Sequence, residues 1–247
     1  MLEHGNRTWH GFRLMAVLAL VAGLAACSPR PPGVEVHDPY EETNRAWFET
    51  NVAVDRAILG DSGEPSDSPV RDLVGNFGSN LSIPGTVVNN LLQARPDRAI
   101  ENTLRFAINS TIGLAGLFDP AGQIGLHDQR SDFGETLHVW GVNEGAFVML
   151  PFLGPSTERD AAGMVVDAFL DPLGHLLPGR EYGGTVAARL AARLADRAEY
   201  GDLIDANVMA SADPYVQGRL LFLQMRRYNL GDENEEEFID PYADFED

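Results

Sequence analysis

The only cysteine of the chain, Cys27, stands shortly after an apolar stretch near the amino terminus, and this arrangement limits what the chain can become. The apolar stretch covers residues 14–22 and follows Arg7 and Arg13, which is the layout of a secretory signal. It falls well short of the roughly 20 apolar residues needed to cross a bilayer, so a retained membrane-spanning anchor is the weaker alternative. We therefore predict that the chain is exported and that residues 1–26 are removed as a signal peptide.

Residues 24–27, Leu-Ala-Ala-Cys, resemble a lipobox, in which small residues precede a cysteine that becomes the acylated first residue. Cys27 is accordingly the predicted lipidation site rather than a buried thiol, and a lone cysteine cannot form an internal disulfide. Several acyl chains on one residue make a firm anchor, because each buried methylene contributes about 0.8 kcal/mol. Ser28 is not aspartate, which by the sorting rule of enteric bacteria indicates the outer membrane. The proline-rich residues 27–37 are predicted to form a stiff tether.

The bulk composition favours one folded body followed by an acidic end. A hydrophobic fraction of 44% and a charged fraction of 22% are typical of globular proteins. No internal repeat of 20 to 50 residues is present, so one domain over residues 38–230 is the simplest account of the 247 residues. Residues 231–247 are rich in Asp and Glu and are predicted to be disordered. The net charge of −19, with arginine as the only basic residue besides histidine, argues against nucleic acid as a partner.

Helical spacing dominates from Asp38 to Tyr228, so we predict an all-α fold. The first helix should cover residues 41–59, with a loop at 60–69. Pro84 and Pro96 should each open a helix, because proline suits the first helical position.

Three further helices are predicted towards the carboxyl end. Ser156 or Thr157 should cap a helix that runs through Phe169, and Asp213 with Pro214 should start the last helix. The predicted inward residues of the first of these are Ala161, Met164, Val165, Ala168 and Phe169. A helix at about 185–199 carries two stripes, one of Val186, Leu190 and Leu194, the other of Arg189, Arg193 and Arg197. We favour a solvated arginine stripe, and contact with phosphate groups is the alternative.

Residues 137–154 are strongly apolar and punctuated by glycine. A buried hairpin is the favoured interpretation, and an exposed loop that dips into lipid is the alternative. The candidate hairpin or lipid-passage residues are Trp140, Gly141, Val142, Asn143, Gly145, Phe147, Leu150 and Phe152.

The motifs of common enzymes are missing from the sequence. It contains no Gly-x-Ser-x-Gly elbow, no His-Glu-x-x-His, no phosphate-binding loop and no paired-cysteine metal site. The histidines after Cys27 are widely spaced and fit surface or core positions better than that of a catalytic base; they are His37, His127, His138 and His175. Asp128 or Asp132 would be close enough in sequence to orient His127, but no nucleophile completes such a set. We therefore expect no enzymatic activity, no cofactor and no metal.

Several motifs then occur in a specific order along the body of the chain. They lie in residues 38–45, 76–93, 105–119, 132–142, 151–160 and 211–219. The first begins Asp38-Pro39-Tyr40 and a later one reads Pro-Phe-Leu-Gly-Pro-Ser-Thr over residues 151–157. In content and order these motifs resemble the MlaA (VacJ) family of outer-membrane lipoproteins, and the resemblance covers nearly the whole body.

This resemblance implies a monotopic helical ring in the periplasmic-facing leaflet of the outer membrane, with a central amphipathic passage. Members of the family remove phospholipid misplaced in the outer leaflet and pass it intact to a soluble periplasmic carrier, beside a trimeric porin. The alternatives are a scaffolding lipoprotein that binds porins or periplasmic partners without moving lipid, and, least favoured, a lipid hydrolase. The family's hairpin commonly reads Val-Gly-x-Gly-Pro-Tyr, whereas residues 142–147 here read Val-Asn-Glu-Gly-Ala-Phe. Asparagine adopts positive φ less freely than glycine, so this departure bears on hairpin mobility.

Overall fold

A computed structural model describes residues 36–60, 69–199 and 201–231. The predicted signal peptide, Cys27, most of the predicted tether, most of the loop at 60–69 and the acidic stretch after Gly231 lie outside these residues.

The described part of the chain is helical apart from one small sheet. Its helices are α1 (Glu41–Leu59), α2 (Pro69–Leu92), α3 (Pro96–Thr111), α4 (Pro120–Gln123), α5 (Phe133–Val139), α6 (Glu158–Leu170), α7 (Pro172–Leu176), α8 (Gly179–Glu199), α9 (Gly201–Ile204), a π-helical turn (Asp205–Met209) and α10 (Pro214–Leu230). Strands β1 (Phe147–Leu150) and β2 (Gly154–Thr157) pair antiparallel, with Phe147 opposite Thr157. The prediction of an all-α fold with one apolar hairpin is confirmed.

Three of the predicted helix starts are confirmed, those at Pro96, Thr157 and Asp213. Pro96 is the first residue of α3. Thr157 caps α6 by accepting a hydrogen bond from the Asp160 amide, and Asp213 caps α10 through the Val216 amide. These caps satisfy amides that the first turn of a helix leaves without an internal partner.

Pro84 does not open a helix, and the prediction that it does so is wrong. It lies inside α2, which begins at Pro69. Tertiary packing explains why this glycine-rich helix holds together: α2 lies against α8, and a Cβ added at Gly78 would come within 2.4 Å of the Ala192 Cβ. Small residues thus bring the two helices into close contact, which offsets the backbone bond that proline removes.

The inward face of α6 is not the one predicted, and the arginine stripe of α8 is less exposed than predicted. On α6, Val165 and Phe169 are exposed, while Arg159 and Gly163 are buried. On α8, the stripe of Val186, Leu190 and Leu194 is exposed. The arginine stripe instead turns partly inward, because Arg189 pairs with Asp171 and Arg197 pairs with Asp55 at 2.8 Å. The interpretation of this stripe as simply solvated is therefore wrong for Arg189 and Arg197.

The start of the described body is fastened to the last helix. Asp38 accepts hydrogen bonds from the Tyr215 hydroxyl, from the Arg219 guanidinium and, at 2.8 Å, from Asn44. Beside it, a small core packs Phe147 and Tyr215 edge to face, with ring centroids 6.2 Å apart. Burial and the neighbouring Asp38 carboxylate raise the pKa of Tyr215, so the hydroxyl remains a donor at neutral pH.

Candidate functional site

Polar side chains fill much of the interior of the described chain. Sixteen polar or charged residues are buried there, against twelve apolar ones. Globular proteins in water usually bury mainly apolar side chains, and a polar group costs free energy when it is buried unless it finds a hydrogen-bond partner. The interior therefore contains many hydrogen-bonding and charged groups.

Helix α3 turns its polar face inward and holds the loop that follows it. Asn102 donates to the Gln129 carbonyl at 3.0 Å. Arg105 donates to the Leu126 carbonyl and, at 3.1 Å, to Asp119. Asn109 both donates to Asp119 at 2.8 Å and accepts from the Ala121 amide at 3.1 Å. The exposed residues of this helix include the apolar Ile100 and Leu104.

A second polar cluster joins α2, α5 and α6. Asn89 donates to Asp167 at 2.7 Å and accepts from the Thr136 hydroxyl at 2.9 Å, and Thr136 also accepts from Gln93 at 2.9 Å. Burial raises the pKa of Asp167, despite the hydrogen bonds that it accepts from Asn89 and from a backbone amide.

Arg226 of α10 links the first turns of α5 and α6. Its guanidinium donates to both oxygens of Asp132, at 2.9 and 2.7 Å, and to both oxygens of Asp160, at 2.9 and 3.1 Å. Burial by itself would raise the pKa of Asp132, but the hydrogen bonds and positive charge of Arg226 outweigh it and hold that pKa below its usual range. The Asp132 carboxylate therefore remains charged at neutral pH.

A polar cavity of about 590 Å³ lies beside this arginine. It is bounded by the starts of α3 and α5, the segment between α4 and α5, and the end of α10. Its charged lining residues are Arg98, Asp128, Arg130, Asp132, Glu135 and Arg226. Asp128 also borders a second cavity of about 30 Å³, next to Asn80 and Arg105.

Apolar side chains instead face outward on three helices. The exposed positions recur at helical spacing four, with Ile100 and Leu104 on α3, Val165 and Phe169 on α6, and Val186, Leu190 and Leu194 on α8. We call these residues, together with the exposed Ile112 and Leu176, the outer apolar surface. Large apolar side chains that are exposed at successive turns of a helix are typical of surfaces that contact lipid or a partner.

Two asparagines of α1 hold the free edge of the hairpin. Asn44 donates to the Phe147 carbonyl at 3.1 Å and accepts from the Met149 amide at 2.8 Å. Asn51, two turns later, repeats the pattern with the Leu150 carbonyl at 2.9 Å and the Phe152 amide at 2.8 Å. The side-chain amides thus satisfy backbone groups that a third strand would otherwise bind.

The hairpin is buried in one part and exposed in another. Phe147 is buried against Tyr215, and Leu150 is half-buried. Phe152, at the tip, is 72% exposed and has φ of +63°. Trp140 is exposed at the end of α5 and donates to the Leu92 carbonyl at 3.2 Å. The candidate residues are therefore not gathered in one pocket: Phe147 belongs to the core and Phe152 to the surface.

The glycine positions explain why the sequence tolerates asparagine at 143. Gly141 and Gly145 have φ of +84° and +73°, whereas Asn143 is not among the described residues with positive φ. A Cβ at Gly145 would also lie 2.6 Å from a Glu158 carboxylate oxygen. Glycine is present at the two positions whose positive φ favours it, and Val142 between them is half-buried.

The described residues offer no evident metal site or spanning segment. No group of three or more His, Cys, Asp or Glu residues in this part of the chain is arranged to hold a metal ion. No helix within the described ranges combines the length and the apolar character needed to cross a membrane. Asp128 and Asp132, considered as partners of His127, instead bind Arg130 and Arg226.

Sequence analysis missed the polar interior and its cavity. The signal was present as asparagine and arginine at helical spacing, in Asn102, Arg105 and Asn109 and again in Asn44 and Asn51. The prediction considered only the apolar residues and did not use the periodicity of the polar ones.

These features define a class: helical proteins that combine a polar interior with an outward apolar surface. The chain belongs to the MlaA lipoprotein family, whose model matches residues 36–229.

Three relatives illustrate the similarity. An Escherichia coli K12 protein named intermembrane phospholipid transport system lipoprotein MlaA is 30% identical over 197 residues, covering 76% of each chain. The Haemophilus influenzae protein of the same name is 28% identical, covering 89% of this chain and 90% of its own. A protein of uncharacterised function from Rickettsia conorii is 35% identical over 203 residues, covering 80% of this chain and 79% of its own.

A solved structure described as the structural basis for maintenance of bacterial outer membrane lipid asymmetry has a similar fold. The TM-score is 0.63 with 29% sequence identity, and the alignment covers 78% of this chain and 98% of the other.

Proposed function

We propose that this chain is the outer-membrane component of a phospholipid transport system. It removes mislocalised phospholipid from the outer leaflet and passes it intact to a soluble periplasmic carrier, which maintains the lipid asymmetry of the membrane. The names of the E. coli and H. influenzae relatives support the substrate class. In this proposal the lipid undergoes no chemical change, and no cofactor or metal takes part.

The observation that carries the proposal is the exchange of polar and apolar positions between interior and exterior. A phospholipid that crosses a leaflet must keep its headgroup hydrated and its tails out of water. Buried side chains such as Asn89, Asn102 and Arg105 make the interior polar, and the outer apolar surface fits acyl chains. We propose that these helices form a ring around the passage.

The proposed seat of the protein is the periplasmic-facing leaflet, with Cys27 acylated and a trimeric porin as neighbour. The exposed apolar side chains and the lack of a spanning helix in the described ranges are compatible with a monotopic position. At the exposed tip of the hairpin, Phe152 is placed to meet lipid, whereas Phe147 supports the hairpin from the core.

Reconstitution tests this function. The mature lipoprotein is placed in vesicles that contain labelled phospholipid, with and without a trimeric porin, and a soluble lipid carrier is added. We expect intact labelled lipid in the carrier fraction, in an amount that depends on the lipoprotein. The absence of transfer under both conditions would support a scaffolding role instead, and release of labelled fatty acid would indicate a hydrolase.

A further inference from the structure

The charged residues that line the large cavity balance each other. Three are arginines and three are acids, so the formal charge of the lining is zero although the whole chain carries −19. The lining therefore offers groups of both signs to one ligand. Its volume of about 590 Å³ lies within the range of small-molecule sites, roughly 300 to 1,000 Å³.

The six charged groups differ in how firmly the protein already holds them. Arg226 and Asp132 bind each other through two hydrogen bonds, and Glu135 is paired with Arg95. Arg98 is less engaged: its side chain is 39% exposed, and its ion pair is with a Glu135 oxygen at 3.8 Å, beyond hydrogen-bond range. This guanidinium keeps donors available for an incoming anion.

A second exchangeable group faces Arg98 from the segment between α4 and α5. Arg130 binds Asp128 at 2.7 Å and lies 3.9 Å from an Asp196 carboxylate oxygen, but its side chain is 71% exposed. Exposed pairs of this kind contribute little to stability, so a ligand with both charges can replace the partner of each residue at small cost. The Asp132 carboxylate is also partly exposed at this wall.

We propose that this cavity binds a phosphate–ammonium zwitterion, namely the headgroup of a phospholipid such as phosphatidylethanolamine. The phosphate contacts Arg98 and Arg130, and the ammonium contacts Asp128 and Asp132. This inference rests on the proposed function, since it names the headgroup class that the passage takes.

Charge explains why a zwitterion fits better than an anionic headgroup. A phosphatidylglycerol headgroup would satisfy Arg98 and Arg130 but take Arg130 from Asp128, which would be left without a cation next to an added negative charge. Guanidinium groups bind phosphate oxygens through paired donors, and carboxylates bind ammonium groups through charge-assisted hydrogen bonds. Leu230 at the edge of the cavity adds an apolar contact where the acyl chains begin.

Native mass spectrometry of the full mature lipoprotein tests the site. The protein is equilibrated with equal amounts of phosphatidylethanolamine and phosphatidylglycerol, and the bound lipids are counted. We expect phosphatidylethanolamine to dominate in the wild type. Arg98→Gln should reduce retention of both lipids by about tenfold, because each loses a charged hydrogen bond. Asp128→Asn should shift the ratio towards phosphatidylglycerol by about the same factor.

Matched controls carry the same substitutions away from the cavity, at Arg56→Gln on α1 and Asp72→Asn on α2, which are both exposed. Circular dichroism melting confirms that each variant is folded. A pair of cavity variants that behave like these controls would overturn the proposed site, even if lipid is bound. A wild type that retains neither lipid would contradict the proposed function itself.

Soluble competitors separate the headgroup from phosphate alone. Phosphoethanolamine should displace the bound lipid at lower concentration than inorganic phosphate, because only the former supplies an ammonium group. Equal displacement by both would show a simple phosphate site and overturn the zwitterion assignment.

Discussion

Asp132 is the residue that connects the cap of α5, the end of α10 and the wall of the cavity. It accepts from the Glu135 amide at 2.8 Å and from Arg226, while its side chain remains 45% exposed. Removing one partner of a fully buried ion pair lowers the free energy of unfolding by about 3 to 5 kcal/mol. Because solvent screens this carboxylate, we expect a smaller value, about 1 to 2 kcal/mol.

Asp132→Asn should therefore lower the free energy of unfolding by about 1 to 2 kcal/mol at pH 7. The folded-state pKa of Asp132 is depressed, so its contribution is present above the unfolded pKa of about 3.9 and is lost as pH falls through the folded value. The difference between wild type and variant should thus narrow below about pH 4. Urea unfolding at a series of pH values measures this difference in the free energy of unfolding, with Asp97→Asn at an exposed position as control.

A difference that stays constant from pH 7 to pH 3 would contradict this role for the Asp132 charge. The pairing itself was beyond sequence analysis, because Asp132 and Arg226 are 94 positions apart and no local pattern links them. The cap at Thr157 was predictable, because a cap and its helix are neighbours in sequence.

At the scale of elements, the sequence predicted where many helices begin and end but not which face turns inward. Apolar and polar residues on a helix recur with the same period, so periodicity separates two faces without saying which is buried. We predicted that Val165 and Phe169 of α6 are buried because apolar side chains usually avoid water. In the structure they are exposed, and Arg159 and Gly163 are buried instead. The sequence pattern alone does not decide which face is buried.

Asn51 tests how α1 positions the hairpin. Asn51→Leu removes the acceptor of the Phe152 amide, so hydrogen exchange at this amide should become about fivefold to tenfold faster, as expected for a hydrogen bond of about 1 kcal/mol. The Met149 amide, which Asn44 holds, should keep its protection. Amide exchange measured by mass spectrometry or NMR separates the two positions.

Two further variants sharpen the comparison. Asn51→Asp keeps an acceptor oxygen, so the Phe152 amide should stay protected. Thr50→Leu, at the exposed position directly before Asn51, should leave hydrogen exchange at both amides unchanged. Loss of protection at Met149 as well in Asn51→Leu would mean that the hairpin opens as one unit, against independent support by the two asparagines.

At the scale of the whole molecule, the outer apolar surface makes a prediction about membrane association. Ile112 and Leu176 are 73% and 76% exposed, so Asp at either position should leave the melting temperature nearly unchanged. Burying such a side chain in lipid contributes about 1.5 to 3 kcal/mol, and each substitution should lower vesicle binding by about tenfold or more. Flotation with vesicles, using chain produced without acyl groups, measures the change.

The control adds the same charge at an exposed polar position, Gln217→Glu on α10, and should float like the unmodified chain. Variants of Ile112 and Leu176 that bind vesicles normally would show that these positions face water, and the proposed orientation would have to change. The family resemblance and the helical content were predictable at this scale, whereas the cavity depends on segments brought together only by folding.

The attachment of Asp38 to Tyr215 and Arg219 has a mechanical consequence. In the proposed arrangement, a force on the acylated end reaches the body at His37, whose carbonyl accepts from the Phe147 amide at 2.8 Å, and at Asp38, whose bonds pass the force to α10. The first and last segments of the body then bear a lateral force on the anchor together. The helices between them are not stretched one after another.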